Sequence, residues 1–142
     1  MRRNFKLILI IRLLLAFFSA SSFADTSLDV ECLFKDISTQ ELSETIGRND
    51  VILLDARPKV FYELGHINTA LNLSPLNFKE EYENLKKHID FSKYEMVILY
   101  CSSFSCEDSD KLAKLLAAQN LEKIYIYKGG WDEWHSKKED SK

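Results

Sequence analysis

Three observations predict an α/β domain built on a mostly parallel sheet. The apolar runs Val51–Leu54, Met96–Cys101 and Ile124–Tyr127 are continuous rather than alternating, as expected of strands covered on both faces. Stretches with helical spacing of apolar residues separate them, so strand and helix alternate along the chain. The two prolines and four glycines leave little room for a linker, and no repeat or low-complexity tract interrupts the pattern. With 142 residues, 46% hydrophobic and 29% charged, the chain fits one globular domain with a real core.

The first 24 residues read differently. Arg2, Arg3 and Lys6 precede the apolar run Leu7–Phe18, and Ser22-Phe23-Ala24 closes it with a small-x-small pattern. This is the layout of a secretory signal peptide cleaved after Ala24, with a single domain over 25–142 and its core at about 37–134. Arg12 interrupts the apolar run, and the alternative is an uncleaved anchor, although the uninterrupted stretch is short for a membrane span. The expectation is export to the periplasm or the medium, with membrane contact only through this segment if it is retained. Its removal takes away Arg2, Arg3, Lys6 and Arg12 and no acid, moving the formal charge from −3 to −7. An acidic domain without a basic stripe argues against a nucleic-acid partner.

After a short strand-like stretch at Val30–Phe34, Ser38 and Glu41 have the spacing of a capping box, Ile37 and Leu42 that of a hydrophobic staple, and Gly47 stands where a left-handed cap would end the helix. Val51–Leu54 is the next strand. Asp55-Ala56-Arg57-Pro58 follows, with Pro58 suited to the first position of a short helix to about Leu64. Gly65-His66-Ile67 turns the chain, Ala70–Leu73 is a further strand, and Ser74-Pro75 breaks it. Phe78–Ile89 reads as an amphipathic surface helix. The strand ending at Cys101 leads through Ser102, Ser103, Phe104 and Ser105 into a helix from about Cys106 to Gln119, with Leu112, Leu115 and Leu116 as its buried stripe. Ile124–Tyr127, the Gly129-Gly130 turn and a helix from Trp131 to Lys137 complete the order.

Sheets of this kind place their sites outside the carboxyl ends of the strands, where both Asp55 and Cys101 stand. A thiol facing a helix N-terminus meets backbone N–H groups and the positive end of the dipole, which favour the nucleophilic thiolate. The competing reading of Cys101 is a buried space-filler. Three cysteines, Cys32, Cys101 and Cys106, are too few and odd in number for a disulfide framework. The C-x-x-x-x-C spacing is not a zinc pattern, and the sequence calls for no metal and no cofactor. Cys32 reads as structural. His66 has a side chain suited to acid–base work, but Gly-His-Ile suggests a turn residue packed on the sheet; His88 and His135 read as solvated.

Leu53-Leu54-Asp55-Ala56-Arg57-Pro58 and Phe61–Leu73 resemble the first signature of the rhodanese-like domain family, and Tyr127-Lys128-Gly129-Gly130-Trp131-Asp132-Glu133-Trp134 resembles its closing signature. Between them, Cys101 falls at the family's catalytic cysteine. The resemblance runs from about Ile37 to Trp134. It implies a rhodanese-like, five-stranded parallel sheet flanked by helices, and sulfur transfer in which Cys101 takes sulfane sulfur as a persulfide from a small sulfur-containing donor and passes it to a thiol or cyanide acceptor, a protein thiol being one candidate partner. The loop of Ser102, Ser103, Phe104 and Ser105 would then present backbone N–H groups to the sulfur, with Asp55 and Arg57 in support through hydrogen bonds and an ion pair.

One departure from the family pattern matters. Active members usually carry Cys-x-x-x-x-Arg, and Cys106 stands at the arginine position, Phe104 at a common glycine, with Glu107 and Asp108 following. A loop without a fixed cation but with two acids is poorly suited to a dianion such as thiosulfate. Cys106 is instead a candidate resolving thiol, able to pair reversibly with Cys101; its bland reading is a small apolar residue in the first helical turn. Three functions therefore stand open: a persulfide-carrying sulfurtransferase, a thiol–disulfide redox protein using Cys101 and Cys106, and a non-catalytic binding module on the same fold.

Overall fold

The computed structural model of the protein describes residues 34–140. The expected signal segment with its cleavage point, Cys32 and most of the strand-like stretch at 30–34 lie outside these residues. Five strands, β1 (Lys35–Asp36), β2 (Val51–Asp55), β3 (Leu71–Asn72), β4 (Met96–Tyr100) and β5 (Ile124–Tyr127), form one sheet in the order β1-β5-β4-β2-β3. Every pairing is parallel. The helices are α1 (Thr39–Thr45), α2 (Lys59–Leu64), α3 (Phe78–Lys86), α4 (Asp108–Ala117) and α5 (Gly130–Asp140), with single 3₁₀ turns at Pro75–Asn77 and Phe91–Lys93.

The continuous apolar runs have the cause expected of them. In β2 and β4 alternate residues enter opposite cores, and four of the five residues in each strand are buried. Ile52, Leu54, Val97 and Leu99 pack under α3 and α4 with Tyr82, Leu112, Ala113 and Leu116. Leu53, Ile98 and Tyr100 face the other way, where Leu42 of α1 and the partly buried Trp131 and Trp134 of α5 cover them.

Local signals hold the helices in place. Ser38 Oγ accepts the Glu41 N–H at 3.2 Å while the Glu41 carboxylate accepts the Ser38 N–H at 2.8 Å, a complete capping box. Gly47 has φ +84° just beyond α1, with open space around its α-carbon, so glycine serves backbone freedom there and not packing. Pro58 caps α2 from outside instead of opening its first turn. The first strand is Lys35–Asp36, C-terminal to the expected stretch: an exposed edge strand held by backbone pairing to β5 needs no apolar pattern. α3 stops at Lys86, three residues before Ile89.

Strand order also fixes where a site can form. From β2 the sheet grows to β3 on one side, and the chain then returns to add β4 and β5 on the other. Such a reversal places the switch point beyond the carboxyl ends of β2 and β4. Asp55 is the last residue of β2, and Cys101 directly follows β4.

Candidate active site

Cys101 leaves β4 almost completely buried, at 2% exposure. Its carbonyl accepts the Trp131 N–H and the Ser102 carbonyl accepts the Asp132 N–H, each at 2.9 Å. The first turn of α5 thus grips the start of the cysteine loop, which is possible because Gly130 lies beneath it. A β-carbon on Gly130 would sit 2.6–2.7 Å from Cys101 O and from Ser102 C and O, and its φ is +64°. Gly130→Ala is expected to cost about 1–2 kcal/mol for the left-handed backbone alone and to push the loop outward as well. Thermal unfolding reads the sum; an unchanged midpoint would mean that the turn relaxes without cost.

Beyond Ser102 the chain folds back on itself. The Cys106 N–H donates to Ser103 O at 3.0 Å, Ser103 Oγ and Ser105 Oγ lie 3.2 Å apart, and Phe104 at the crest is 80% exposed. Cys101 and Cys106 are joined by a disulfide, their α-carbons 6.1 Å apart, inside the range that a disulfide spans. This closure explains why α4 begins at Asp108 and not at Cys106: the Cys106 N–H is engaged in the loop turn and its sulfur is tied back to the strand end. The expected cradle is altered in the same way, because the Cys106 N–H is spent on Ser103 and the hydroxyls of Ser103 and Ser105 pair with each other. The Asp108 carboxylate enters the site from the first turn of α4, one of its oxygens lying with the two sulfurs inside a 4.8 Å cluster.

Beside the loop lies a buried polar network. The Asp55 carboxylate accepts the Arg57 N–H at 2.9 Å, Arg57 Nε at 3.0 and 3.1 Å and Arg57 Nη2 at 2.6 Å. It also accepts the Tyr100 hydroxyl at 2.6 Å, because the β2–β4 register sets Asp55 opposite Tyr100. Tyr100 Oη in turn accepts the Ile67 N–H at 3.1 Å. Burial first, and then the neighbouring Asp55 charge, hold the phenol protonated far above its ordinary range. Arg57 Nη2 donates to Gly65 O at 2.6 Å, and the guanidinium lies 5.2 Å from the Trp131 ring centre. Burial opposes the charge of Arg57, but Asp55 outweighs it and the guanidinium is more basic than usual. Asn72 donates from its side chain to the carbonyls of Asp55 and Arg57. Every polar group here is satisfied, so the network sets the shape of the switch point and, through Tyr100 and Trp131, the two neighbours of the cysteine loop.

Other candidates separate from the site. His66 is exposed, stacked on Tyr62 at 3.8 Å, with Nδ1 2.9 Å from Tyr62 O; it packs on the half-buried Tyr62 that lies against the core. His88 is exposed just after α3, and His135 stacks on Trp131. A surface cleft between α1 and α5 is lined by Thr39, Gln40, Ser43, Trp134, Lys137 and Lys138, none of them in the cysteine loop. Two features escaped the sequence. Tyr100 read only as an apolar strand residue, and its tie to Asp55 spans 45 positions. Lys128 pairs with Asp110 at 2.6 Å, linking the β5–α5 turn to α4, with no local signal for a contact made by folding.

Comparison with known proteins agrees with this arrangement. A thiosulfate sulfurtransferase of Coxiella burnetii is 29% identical over 102 residues, 72% of this chain and 88% of that protein. The tRNA uridine(34) hydroxylase of Wigglesworthia glossinidia brevipalpis is 30% identical over 84 residues, 58% of this chain but only 27% of the relative, so the chain spans about a quarter of that protein. The crystal structure of a single-domain sulfurtransferase from Saccharomyces cerevisiae superimposes with a TM-score of 0.62 at 15% identity, covering 73% of this chain and 90% of that one, and shows the shared fold. Residues 38–137 match the family description "Rhodanese-like domain": the chain belongs to the rhodanese-like domain family.

Proposed function

We propose that the protein is an exported sulfane-sulfur transferase that carries sulfur as a persulfide on Cys101, with Cys106 as the thiol that discharges it. The observation that carries this reading is the position of Cys101 at the carboxyl end of the central strand β4, at the switch point of a rhodanese-like sheet and ahead of α4. The Cys101 thiolate attacks the outer sulfur of a donor R–S–SH; the Cys101 S–S bond forms, the donor S–S bond breaks, and the electron pair leaves with R–S⁻. An external thiolate can then take the outer sulfur and release Cys101. Alternatively the Cys106 thiolate attacks Cys101 Sγ, expels HS⁻ and closes the 101–106 disulfide, which an external dithiol reopens by exchange. Glu107 and Asp108, beside a loop without an arginine, favour a persulfide donor over the thiosulfate dianion.

Intact-mass analysis of the reduced chain after incubation with a panel of sulfane-sulfur donors tests the proposal. A one-sulfur adduct on Cys101 is expected, held longest in Cys106→Ser; no adduct with any donor in either chain would remove the reading. A second reading, a thiol–disulfide oxidoreductase without sulfur transfer, is favoured by the disulfide itself. It predicts that the chain passes electrons between dithiol partners with no sulfur donor present, and both thiols remaining free after mild oxidation would exclude it. Export is checked by N-terminal sequencing of the protein from its native compartment, with Asp25 expected as the first residue.

A further inference from the structure

The C-x-x-x-x-C spacing alone gives no metal pattern, but the fold adds a third donor. Sγ of Cys101, Sγ of Cys106 and a carboxylate oxygen of Asp108 all lie within 4.8 Å of one another. We propose that reduction of the disulfide converts this cluster into a binding site for a thiophilic divalent cation of the zinc class. Two thiolates supply the soft donors that such an ion prefers, and a carboxylate oxygen is a normal third ligand for it. Two thiolates without the carboxylate would suit a softer monovalent ion; the oxygen donor shifts the preference toward zinc.

The surroundings fit a three-ligand site with one open position. Cys101 is buried at the strand end and fixed by the α5 turn, whereas Cys106 and Asp108 are half-buried, so the cluster borders solvent on their side. Lys111 lies 3.7 Å from Asp108 and 3.3 Å from Glu107; it can stay with Glu107 when Asp108 turns to a cation. Charge points the same way. Two thiolates and a carboxylate gathered beside Glu107 repel one another unless protons or a cation neutralise them.

The chemistry balances in two steps. A dithiol reductant R(SH)₂ exchanges with the 101–106 disulfide, yielding the two protein thiols and the cyclic disulfide RS₂. The cation then displaces both thiol protons, giving two metal–thiolate bonds and two H⁺; Asp108 adds a lone pair. Binding therefore weakens as pH falls. Disulfide, persulfide and metal complex are mutually exclusive states of Cys101, so the bound ion would shield the thiol from oxidation and from sulfur donors.

The test uses the full chain, reduced and then freed of reductant under anaerobic conditions, with Zn²⁺ competed against a chromophoric chelator and Co²⁺ as a spectroscopic probe. One ion per chain and a thiolate-to-cobalt charge-transfer band are expected for the reduced protein, and neither for the oxidised one. Cys106→Ser should abolish the band. Asp108→Ala should weaken Zn²⁺ by more than the roughly tenfold that loss of an outer-sphere partner already costs, while Glu44→Ala, at an exposed acid of α1, should leave affinity unchanged. Thermal unfolding of each reduced, metal-free variant confirms that it is folded. A reduced parent chain that fails to compete for Zn²⁺, or an Asp108→Ala chain that binds as tightly as the parent, overturns the proposal. No sulfur donor enters the experiment, so its outcome is independent of persulfide transfer.

Discussion

Cys101→Ser is expected to take up no sulfur from any donor, and Cys106→Ser to take it up and keep it. Loss of the attacking atom should lower turnover by roughly a thousandfold or more, as removal of a covalent nucleophile commonly does. Loss of Cys106 removes only the internal discharge, so the Cys101 adduct should outlast that of the parent chain until an external thiol is added. The two variants control for each other. Each removes the same disulfide, whose short loop contributes about 2 kcal/mol to the oxidised protein, so both should lose that contribution, Cys101→Ser somewhat more because its hydroxyl is buried, while differing in sulfur uptake. Intact mass over time after a donor pulse reads the difference. Equal adduct lifetimes in the parent and Cys106→Ser would deny Cys106 its resolving role.

The largest effect on stability is expected at Asp55. Its carboxylate is fully buried, and the Arg57 side chain that it holds is only 5% exposed. Asp55→Ala leaves the guanidinium without its counter-charge in the interior, which costs roughly 3–5 kcal/mol, and strips acceptors from the Tyr100 hydroxyl and the Arg57 N–H. In a domain of about this size that corresponds to a fall in Tm on the order of 15 °C. Replacing the pair together, Asp55→Leu with Arg57→Met, should recover the part of the loss that comes from the unpaired charge, while the Tyr100 hydroxyl and the backbone N–H of position 57 stay without their acceptor. Urea unfolding of the two variants decides the matter: a single substitution costing under about 1 kcal/mol would show that water reaches the guanidinium.

Much of this architecture was legible because its causes are local. β2, β4 and β5 are covered on both faces, so their residues had to be apolar without interruption, and the Ser38–Glu41 cap closes within four residues. What stayed hidden depends on partners far along the chain. β1 is an edge whose side chains, Lys35 and Asp36, face solvent, so nothing in their chemistry marks the pairing to β5. The start of α4 slid to Asp108 because a turn and a covalent link, not helical propensity, decide how the loop ends. Asp108 itself read only as one of two acids unfavourable to a dianionic donor; its approach to both sulfurs follows from how tightly the loop folds back. Tyr100 is the clearest case. One residue before the cysteine it looked like another core side chain, and only the β2–β4 register shows its hydroxyl on Asp55.

The grip of α5 on the Cys101 and Ser102 carbonyls also has a consequence in time. Trp131 and Asp132 are translated after the cysteine loop that they secure, and Asp55 and Arg57 well before it. A nascent chain therefore carries Cys101 as an ordinary, untethered thiol, open to any oxidant or stray cysteine it meets. Its buried, tethered position arrives only when three separate stretches of sequence have docked. In the reduced chain, the rate at which Cys101 becomes closed to an alkylating reagent after release from denaturant would serve as a clock for completion of the fold, because its place at the strand end is almost completely buried.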